Sequence, residues 1–496
     1  MITAPYRIDK LAALADLGEL AHPYGVGDPE AGEAAVPHYD AIVIGTGQAG
    51  PSLAKRLAGA GRRVAIIERD KFGGTCINTG CTPTKTLVAS AYAAHMARRS
   101  ADFGISVGSV SVDMRRVKQR KDDIVTTWSA ATEASLRATQ NCSVYRGHAR
   151  FVSPREVEVG QERLSADAIF IDVGGRAAVP SIPGIDGVAY LTNTTILQLE
   201  TVPDHLIVLG GSYVGLEFAQ IFRRFGAAVT VLEGAPRLVS REDAEVSDAI
   251  RDILQDEGIR IDCGVSNVAI AAGQRDIHLS YKQGAVQSSV DGSHLLLATG
   301  RRPNTDDLGL ERAGVAVDAR GYIIVDDQLR TNVQGIWALG DCNGRGAFTH
   351  TAYNDFEVVA ANVLDGEVRT VHDRIAAYAL YTDPPLGRVG MTEAEAHASG
   401  HSLLVGRIQM ADVSRAIEKG ETAGLMKLVV DKDSHRILGA AFLGTSGDEL
   451  IHCIIDLMYA GAPYTTLQRA MHIHPTVAEF LPSLAAEVTP PPQPRG

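Results

Sequence analysis

Residues Gly73 to Lys85 read Gly-Gly-Thr-Cys-Ile-Asn-Thr-Gly-Cys-Thr-Pro-Thr-Lys, with two cysteines five positions apart. In one regular helix five residues rise about 7.5 Å and turn about 500°, so the side chains of Cys76 and Cys81 would point apart. A disulfide needs its Cα atoms within about 6.8 Å of each other. If the cysteines pair, the chain between them must bend, and Asn78-Thr79-Gly80 tolerates bending. Pro83 suits the first turn of a following helix, so Cys81 is expected near a helix N-terminus, where the dipole favours a thiolate.

Two nearby cysteines are also compatible with small buried residues or with half of a zinc site. No second ligand pair with zinc spacing lies near them in sequence, and Pro83 and Lys85 have no role in a metal site. The sequence therefore gives no support to a zinc site, and we expect no metal ligands. The remaining four cysteines are interpreted as small buried residues: Cys142, Cys263, Cys342 and Cys453. So few cysteines in a long chain indicate a reducing, cytoplasmic setting.

Length and charge restrict the class of protein. A chain of 496 residues is expected to form two to four domains. Its net charge of −12 argues against nucleic acid or an anionic membrane as the principal partner. No apolar run reaches the roughly 18 residues of a membrane span, and Asp16 and Glu19 interrupt the apolar stretch near the N-terminus, so neither a membrane span nor a secretory signal is predicted.

A nucleotide-binding unit precedes the cysteines. The apolar strand Tyr39 to Ile44 leads into Gly45-Thr46-Gly47-Gln48-Ala49-Gly50, a helical run, and a second strand that ends at Glu68. The three glycines allow a tight turn, close approach of a pyrophosphate and helix packing, while the acid reaches a ribose hydroxyl. Glu68 lies 23 residues after Gly45, and this context makes an otherwise weak GxGxxG signal strong.

A second copy of this unit begins at His205. Its strand leads into Gly210-Gly211-Ser212-Tyr213-Val214-Gly215, a helix and a strand that ends at Glu233, again 23 residues after the first glycine. Two such units predict two bound nucleotides. Glu233 favours the free 2′-hydroxyl of NADH, although Arg237 and Arg241 could bind the 2′-phosphate of NADPH. NADH is therefore the preferred of the two.

The cysteine stretch resembles the redox-active disulfide of the flavin-linked pyridine-nucleotide disulfide oxidoreductases. Its residues are similar to those found in the mercuric-reductase branch of that family. The resemblance implies an α/β chain with two Rossmann-like domains, for FAD and NAD(P), and an α+β C-terminal dimerisation domain. It implies that Cys76 and Cys81 form the disulfide, that electrons pass from the nicotinamide through FAD to this pair, and that Cys76 attacks the substrate. The residues expected to bind the cofactors are Gly45, Gly47, Gly50, Glu68, Gly74, Thr75, Lys85, Asp341, Gly210, Tyr213, Gly215, Glu233 and Gly300.

Four further features of the sequence match the same family. His474-Pro475-Thr476 with Glu479 resembles its base motif, in which the carboxylate orients the histidine and the pair serves the partner subunit's disulfide. Lys85 and Glu217 match an ion pair beside the flavin, and Tyr213 matches the aromatic residue over the nicotinamide pocket. Gly340-Asp341 resembles the second flavin motif. The alternatives are His472 as base, surface charges for Lys85 and Glu217, packing for Tyr213, and a simple Gly-Asp turn.

The predicted division of the chain has six segments. They are an N-terminal extension (1–38), the first part of the FAD domain (39–188), the NAD(P) domain (189–300), the second part of the FAD domain (301–368), the dimerisation domain (369–488) and a mobile proline-rich tail (489–496). The resemblance also implies a homodimer with a shared active site.

The substrate is predicted to be a small disulfide. The run from Tyr381 to Gly390 is similar to mercuric-reductase relatives, which makes a soft metal ion presented as a thiol complex the alternative. Against mercury, no cysteine follows Cys453, whereas the mercury enzymes carry a C-terminal cysteine pair, and His474 is typical of disulfide reductases. A flavoprotein redox sensor without catalytic turnover is the second alternative.

Overall fold

The computed structural model describes residues 36–273 and 276–491. Two predicted segments lie largely outside this part of the chain. They are the N-terminal extension, of which residues 1–35 are not described, and the proline-rich tail, of which residues 492–496 are not described. Within the described residues, no helix is long and apolar enough to cross a bilayer.

The strands in the described part of the chain are β1 (His38–Ile44), β2 (Val64–Glu68), β3 (Cys142–Arg146), β4 (Ala149–Ser153), β5 (Glu156–Val159), β6 (Glu162–Ile171), β7 (Gly175–Ala177), β8 (His205–Leu209), β9 (Ala228–Glu233), β10 (Arg260–Cys263), β11 (Val265–Ala272), β12 (Ile277–Gln283), β13 (Val286–Gly292), β14 (His294–Leu297), β15 (Arg301–Pro303), β16 (Ile336–Ala338), β17 (Ala377–Leu380), β18 (Leu386–Gly390), β19 (Leu403–Gln409), β20 (Leu425–Asp431) and β21 (Ile437–Leu443).

The α-helices in the same residues are α1 (Gly50–Gly59), α2 (Gly74–Asn78), α3 (Cys81–Arg98), α4 (Met114–Arg137), α5 (Tyr213–Phe225), α6 (Ala244–Asp256), α7 (Leu310–Ala313), α8 (Thr349–Ala360), α9 (Glu393–Ala398), α10 (Ser414–Lys419), α11 (Gly447–Tyr459), α12 (Tyr464–Arg469) and α13 (Leu481–Ala486). Short 3₁₀ segments lie at Ser100–Phe103, Ile185–Gly187, Ile196–Gln198, Gly340–Asn343, Met410–Asp412 and Ala478–Phe480, and a π-helical turn lies at Ala361–Asp365.

The chain divides into two units, each built from separate segments. Unit 1 contains the described residues of Met1–Gly74, Thr126–Gly174 and Thr305–Arg369, and unit 2 contains those of Thr75–Val125, Gly175–Asn304 and Thr370–Gly496. Each unit contains one of the strand–glycine loop–helix–strand motifs predicted from the sequence.

Unit 1 is organised on one sheet with the strand order β3-β2-β1-β6-β5-β4, and β16 pairs with β6. Four strand pairs of this sheet are parallel: β2–β3, β1–β2, β1–β6 and β16–β6. Strands β4, β5 and β6 form an antiparallel meander. Residues Ile42 and Val43 of β1 and Ile66 of β2 are fully buried. Such continuous apolar runs are typical of parallel strands that are covered on both faces. The carboxyl ends of β1, β2, β6 and β16 therefore meet at one edge, which is where ligands bind in open α/β sheets.

Unit 2 contains the second nucleotide unit, on a parallel sheet, together with separate antiparallel sheets. The parallel sheet has the order β10-β9-β8-β14, and β11, β12 and β13 form an antiparallel sheet. The sheet β17-β18-β21-β20-β19 is antiparallel throughout, and α11 packs on β18 and β21. Helix α3, which carries Cys81, packs against α5, which follows the second glycine loop.

Candidate active site

The chain bends between the two cysteines. Helix α2 contains Cys76 and ends at Asn78, and α3 begins at Cys81, with Pro83 in its first turn. Gly80 lies between the helices with φ −135° and ψ −110°, and a Cβ there would lie 3.0 Å from the carbonyl oxygen of Thr75. The bend and the helix that starts at Cys81 are therefore as the sequence predicted. Cys76 is half-buried and Cys81 is exposed at the N-terminus of an 18-residue helix, where the dipole favours a thiolate.

Lys85, one turn into α3, contacts Glu217 of α5. The Lys85 Nζ donates to Glu217 Oε2 at 2.6 Å, and the glutamate side chain is only 4% exposed. The structure thus brings together two residues that the sequence places 132 positions apart, and the alternative of two unrelated surface charges is wrong for Glu217. A buried carboxylate of this kind needs a cationic partner, because an unpaired charge inside the protein is costly.

Tyr381, which follows β17, completes this cluster and was not predicted as a site residue. Its backbone N–H donates to Glu217 Oε1 at 3.0 Å, and the Lys85 ammonium lies 4.4 Å from the centroid of its ring. Burial raises the pKa of the Tyr381 phenol, and the charges of Asp448, Glu217 and Cys81 raise it further. The phenol is therefore neutral near physiological pH. A polar backbone contact of this kind leaves no signal in the sequence.

The base candidate His474 lies on the segment between α12 and the 3₁₀ turn Ala478–Phe480. Its Nδ1 lies 2.8 Å from Glu479 Oε2, and Glu479 N donates to Thr476 Oγ1 at 3.2 Å. The ring is 75% exposed, whereas the carboxylate is 17% exposed. His472, the competing candidate, contacts only a backbone oxygen, that of Ala470, in the contacts described for it. The structure therefore pairs His474 with the carboxylate that the sequence predicted.

The first glycine loop has the geometry that a dinucleotide requires. Gly45 has φ +106°, and a Cβ there would lie 2.2 Å from the Asp172 carbonyl oxygen. A Cβ at Gly50 would lie 2.3 Å from the Gly45 oxygen, so α1 starts directly against the turn. Gly74 has φ +58°, and its Cβ would lie 2.8 Å from the Gly47 Cα. This close packing leaves the N-terminus of α1 as the anion-binding end of the loop, and the residues of unit 1 therefore fit FAD.

Glu68 at the end of β2 is held by the glycine loop. Its Oε2 accepts hydrogen bonds from Thr46 N at 3.0 Å and Thr46 Oγ1 at 2.5 Å, and its Oε1 accepts one from Asp70 N at 2.9 Å. Asp341 lies in the 3₁₀ segment that follows β16, at the same sheet edge. A ribose contact for Glu68 and a ribityl contact for Asp341 stay predictions.

The second glycine loop repeats this arrangement in unit 2. Gly210 has φ +116°, and its Cβ would lie 2.4 Å from the Ala298 oxygen, while that of Gly215 would lie 2.0 Å from the Gly210 oxygen. Glu233 accepts hydrogen bonds from Gly211 N at 2.5 Å and Ala235 N at 2.6 Å. Tyr213 begins α5 and is half-buried, and Gly300, with φ +138°, directly precedes β15. The residues of this loop therefore fit a nicotinamide dinucleotide.

Comparison with known proteins defines the class. The family model "Pyridine nucleotide-disulphide oxidoreductase" matches residues 39–355, and the model "Pyridine nucleotide-disulphide oxidoreductase, dimerisation domain" matches residues 376–485. The chain belongs to the pyridine nucleotide-disulphide oxidoreductase family. It is an FAD- and NAD(P)H-dependent oxidoreductase with the α/β fold of two Rossmann-like domains and a dimerisation domain, as the sequence predicted. The dimerisation domain indicates a homodimer.

Two relatives and one solved structure are similar to this chain over most of its length. The probable pyridine nucleotide-disulfide oxidoreductase RclA of Escherichia coli (strain K12) is 38% identical, over 90% of this chain and 98% of its own. A mercuric reductase of Streptomyces lividans is 35% identical, over 90% of this chain and 96% of its own. The solved structure described as the Cu(II) complex of the HOCl-induced flavoprotein disulfide reductase RclA from Escherichia coli matches with a TM-score of 0.83 and 36% identity, over 91% of this chain and 99% of that one.

Proposed function

We propose that this enzyme uses Cys76 and Cys81 as its redox-active pair and reduces a small disulfide. The observation that carries the proposal is the bend at Gly80, which ends one helix after Cys76 and begins an 18-residue helix at Cys81. One cysteine thereby gains the dipole of a helix N-terminus, and the other lies on a short separate turn. This is the arrangement that a reactive cysteine pair needs and a buried structural cysteine does not.

FAD, when bound, supplies the two-electron chemistry that connects NAD(P)H with the cysteine pair. In the proposal Gly45, Gly47, Gly50 and Asp341 hold FAD, together with Glu68, Gly74, Thr75 and Lys85. The nicotinamide nucleotide is held by Gly210, Tyr213, Gly215, Glu233 and Gly300. The Glu233 carboxylate supports NADH, because it would repel a 2′-phosphate. Arg237 and Arg241 are both exposed and keep NADPH as an alternative.

The chemistry of the cysteines follows from thiol–disulfide exchange. The Cys76 thiolate attacks one sulfur of the substrate RSSR, forms a mixed disulfide and releases RS⁻. The Cys81 thiolate then attacks the Cys76 sulfur, which releases the second RS⁻ and restores the Cys76–Cys81 bond. The overall reaction is RSSR + NAD(P)H + H⁺ → 2 RSH + NAD(P)⁺.

His474 handles the proton of this exchange in the proposal. A histidine hydrogen-bonded to a carboxylate is oriented for proton transfer, and the 2.8 Å contact with Glu479 provides that partner. The neighbouring side chains Met471 and Ile473 are 99% and 80% exposed. Two apolar side chains exposed just before a candidate base in the chain support a partner subunit that covers them, so each disulfide would be served by the other subunit's histidine.

A soft metal ion is the second candidate substrate. It is supported by the relatives, because one is a mercuric reductase and another was solved as a Cu(II) complex. Reduction would follow Hg(II) + NAD(P)H → Hg(0) + NAD(P)⁺ + H⁺, or would use two Cu(II) per nicotinamide. A disulfide stays the first candidate because His474 has the Glu479 partner that orients a base for proton transfer.

We also propose that the enzyme works in the cytoplasm. The test of its function is a substrate screen with the purified enzyme. NADH and NADPH oxidation is followed with low-molecular-weight disulfides, lipoamide, Hg(II) plus excess thiol, and Cu(II). The proposal expects the highest kcat/KM with a disulfide, and its loss in Cys76→Ser. A higher kcat/KM with a metal ion would favour the second candidate. Oxidation of NADH with none of these acceptors would favour a redox sensor.

A further inference from the structure

Asp172 follows β6, and three glycines of the predicted FAD site surround its carboxyl group. Its Oδ2 accepts a hydrogen bond from Gly50 N, the first residue of α1, at 2.7 Å. A Cβ at Gly47 would lie 2.9 Å from Oδ2, and a Cβ at Gly340 would lie 3.1 Å from Oδ1. A single buried side chain in unit 1 therefore touches both the glycine loop and the Gly340-Asp341 motif.

The groups that face Asp172 are mostly acidic. The charges of Glu68 on β2, of Asp341 in the 3₁₀ segment after β16 and of Asp355 on α8 all act on the Asp172 carboxyl group, and the charge of Asp172 acts in turn on the Cys342 thiol. The Asp355 carboxylate has its own donors, Gly340 N at 2.8 Å and Asn343 Nδ2 at 2.9 Å. The Gly50 N–H opposes these acidic charges, because its hydrogen bond stabilises negative charge on Asp172.

This environment favours the neutral acid. Burial raises the pKa of Asp172 well above its ordinary value, the three acidic neighbours raise it further, and the Gly50 N–H opposes them. A group buried in this way keeps its proton because the charged form is poorly solvated. FAD adds the negative charge of its pyrophosphate to the loop that Asp172 supports. This added negative charge near Asp172 favours the protonated form of its carboxyl group. By linkage, protonation of Asp172 in turn strengthens the binding of the anionic FAD.

We propose that Asp172 is a positioning residue that must carry a proton for tight FAD binding, so that the affinity for FAD falls as Asp172 ionises. The inference rests on FAD binding but not on the identity of the substrate. Its expected signature is a dissociation constant for FAD that rises by up to about tenfold per pH unit above the titration of Asp172, since one proton is linked to binding.

The experiment measures FAD release from the purified holoenzyme upon dilution. Flavin fluorescence gives the dissociation constant between pH 5 and pH 9. Asp172→Asn keeps the shape of the side chain and the acceptor for Gly50 N–H but cannot ionise, so its dissociation constant is expected to stay flat over this range. The matched control is Asp167→Asn, an acidic side chain on the same strand that is 72% exposed. It is expected to retain the pH dependence of the unmodified enzyme.

Parallel pH profiles for Asp172→Asn and the unmodified enzyme would overturn the proposal. The profile of the unmodified enzyme decides even if the variant fails to fold, because a flat profile would contradict the predicted loss of FAD affinity as Asp172 ionises between pH 5 and pH 9. An enzyme that retains no FAD at any pH would instead contradict the cofactor assignment, so the two failures are distinguishable.

Discussion

Lys85 is held in place by contacts with two other residues. Its Nζ donates a hydrogen bond to Glu217 Oε2 at 2.6 Å, and the same nitrogen lies 4.4 Å from the centroid of the Tyr381 ring. The sequence predicted the first contact because both residues match family motifs. It could not predict the second, because Tyr381 reaches the pair through the path of the backbone after β17 and a hydrogen bond from its own N–H. Asp172 was missed for the same reason, since its role depends on the glycines that fold around it.

Removal of the Tyr381 ring is expected to change the flavin midpoint potential. A partly buried cation–π contact contributes about 1–2 kcal/mol, and the Lys85 side chain is 34% exposed. If Lys85 lies beside the flavin, as proposed, loosening it would weaken the positive charge that stabilises the reduced flavin. In Tyr381→Leu the potential should become about 20–40 mV more negative. Tyr381→Phe keeps the ring and the backbone N–H and should show the potential of the unmodified enzyme. Potentiometric titration measures both, and equal potentials in all three proteins would contradict this role.

At the scale of elements, helix α5 carries a buried polar face. Glu217, Gln220 and Arg224 are spaced by three and four residues, so they share one side of the helix. Gln220 accepts a hydrogen bond from Asp383 N and donates to Asp383 O, both at 2.8 Å. Arg224 contacts Asp383 at 2.6 Å and Glu257 at 2.7 Å. This face fixes the segment that carries Tyr381 against the helix that follows the second glycine loop.

Arg224→Met is expected to lower the free energy of unfolding by about 3 kcal/mol, because it leaves two largely buried carboxylates without their cation. The Arg224 side chain is 5% exposed. Arg251→Met is the matched control, since Arg251 on α6 also bridges two carboxylates but is 37% exposed. Its loss should cost less than about 1 kcal/mol. Urea unfolding of the holoenzyme measures both, and equal losses would argue against a structural role for the α5 face.

Element types and approximate bounds could be predicted from the sequence, because periodicity and glycine positions determine them locally. The polar stretch from Ser111 to Gln140 has apolar residues at helical spacing, which predicts one long helix, and the structure has α4 there at Met114–Arg137. Helical spacing places Trp128 on roughly the same side as Leu136, yet Trp128 is 51% exposed, whereas the helix buries Met114, Lys121 and Leu136. Helical spacing predicts which side chains share a face, whereas the element that packs on the face decides which of them are buried.

At the scale of the whole molecule, the internal repeat of the nucleotide unit was the strongest architectural signal, because equal spacing from glycine to acid in two places is independent of any single residue. The six-segment division of the chain stays a prediction. The dimer could not be derived from spacing, since the residues that meet across subunits are unrelated in sequence. It entered through the family resemblance, and the exposed Met471 and Ile473 beside His474 support it.

Mixed dimers test the shared active site. His474→Ala alone should slow disulfide turnover by about 10²–10⁴, and Cys76→Ser alone should abolish it. When the two variants are unfolded together and refolded, about half of the dimers carry one subunit of each kind, and each of these has one complete site. The mixture should therefore recover about a quarter of the activity of the unmodified enzyme. Activity that stays at the level of the separate variants would contradict a base supplied by the partner.

The central claim is that electrons reach the substrate through Cys76 and Cys81. Anaerobic titration of the purified enzyme with one equivalent of NADH tests it most directly, with the absorbance followed beyond the main flavin bands. We expect a long-wavelength band from a Cys81 thiolate beside oxidised flavin, and Cys81→Ser should lack that band while still binding FAD. A reduced enzyme without the band, or a Cys81→Ser variant with the same spectrum as the unmodified enzyme, would contradict the account.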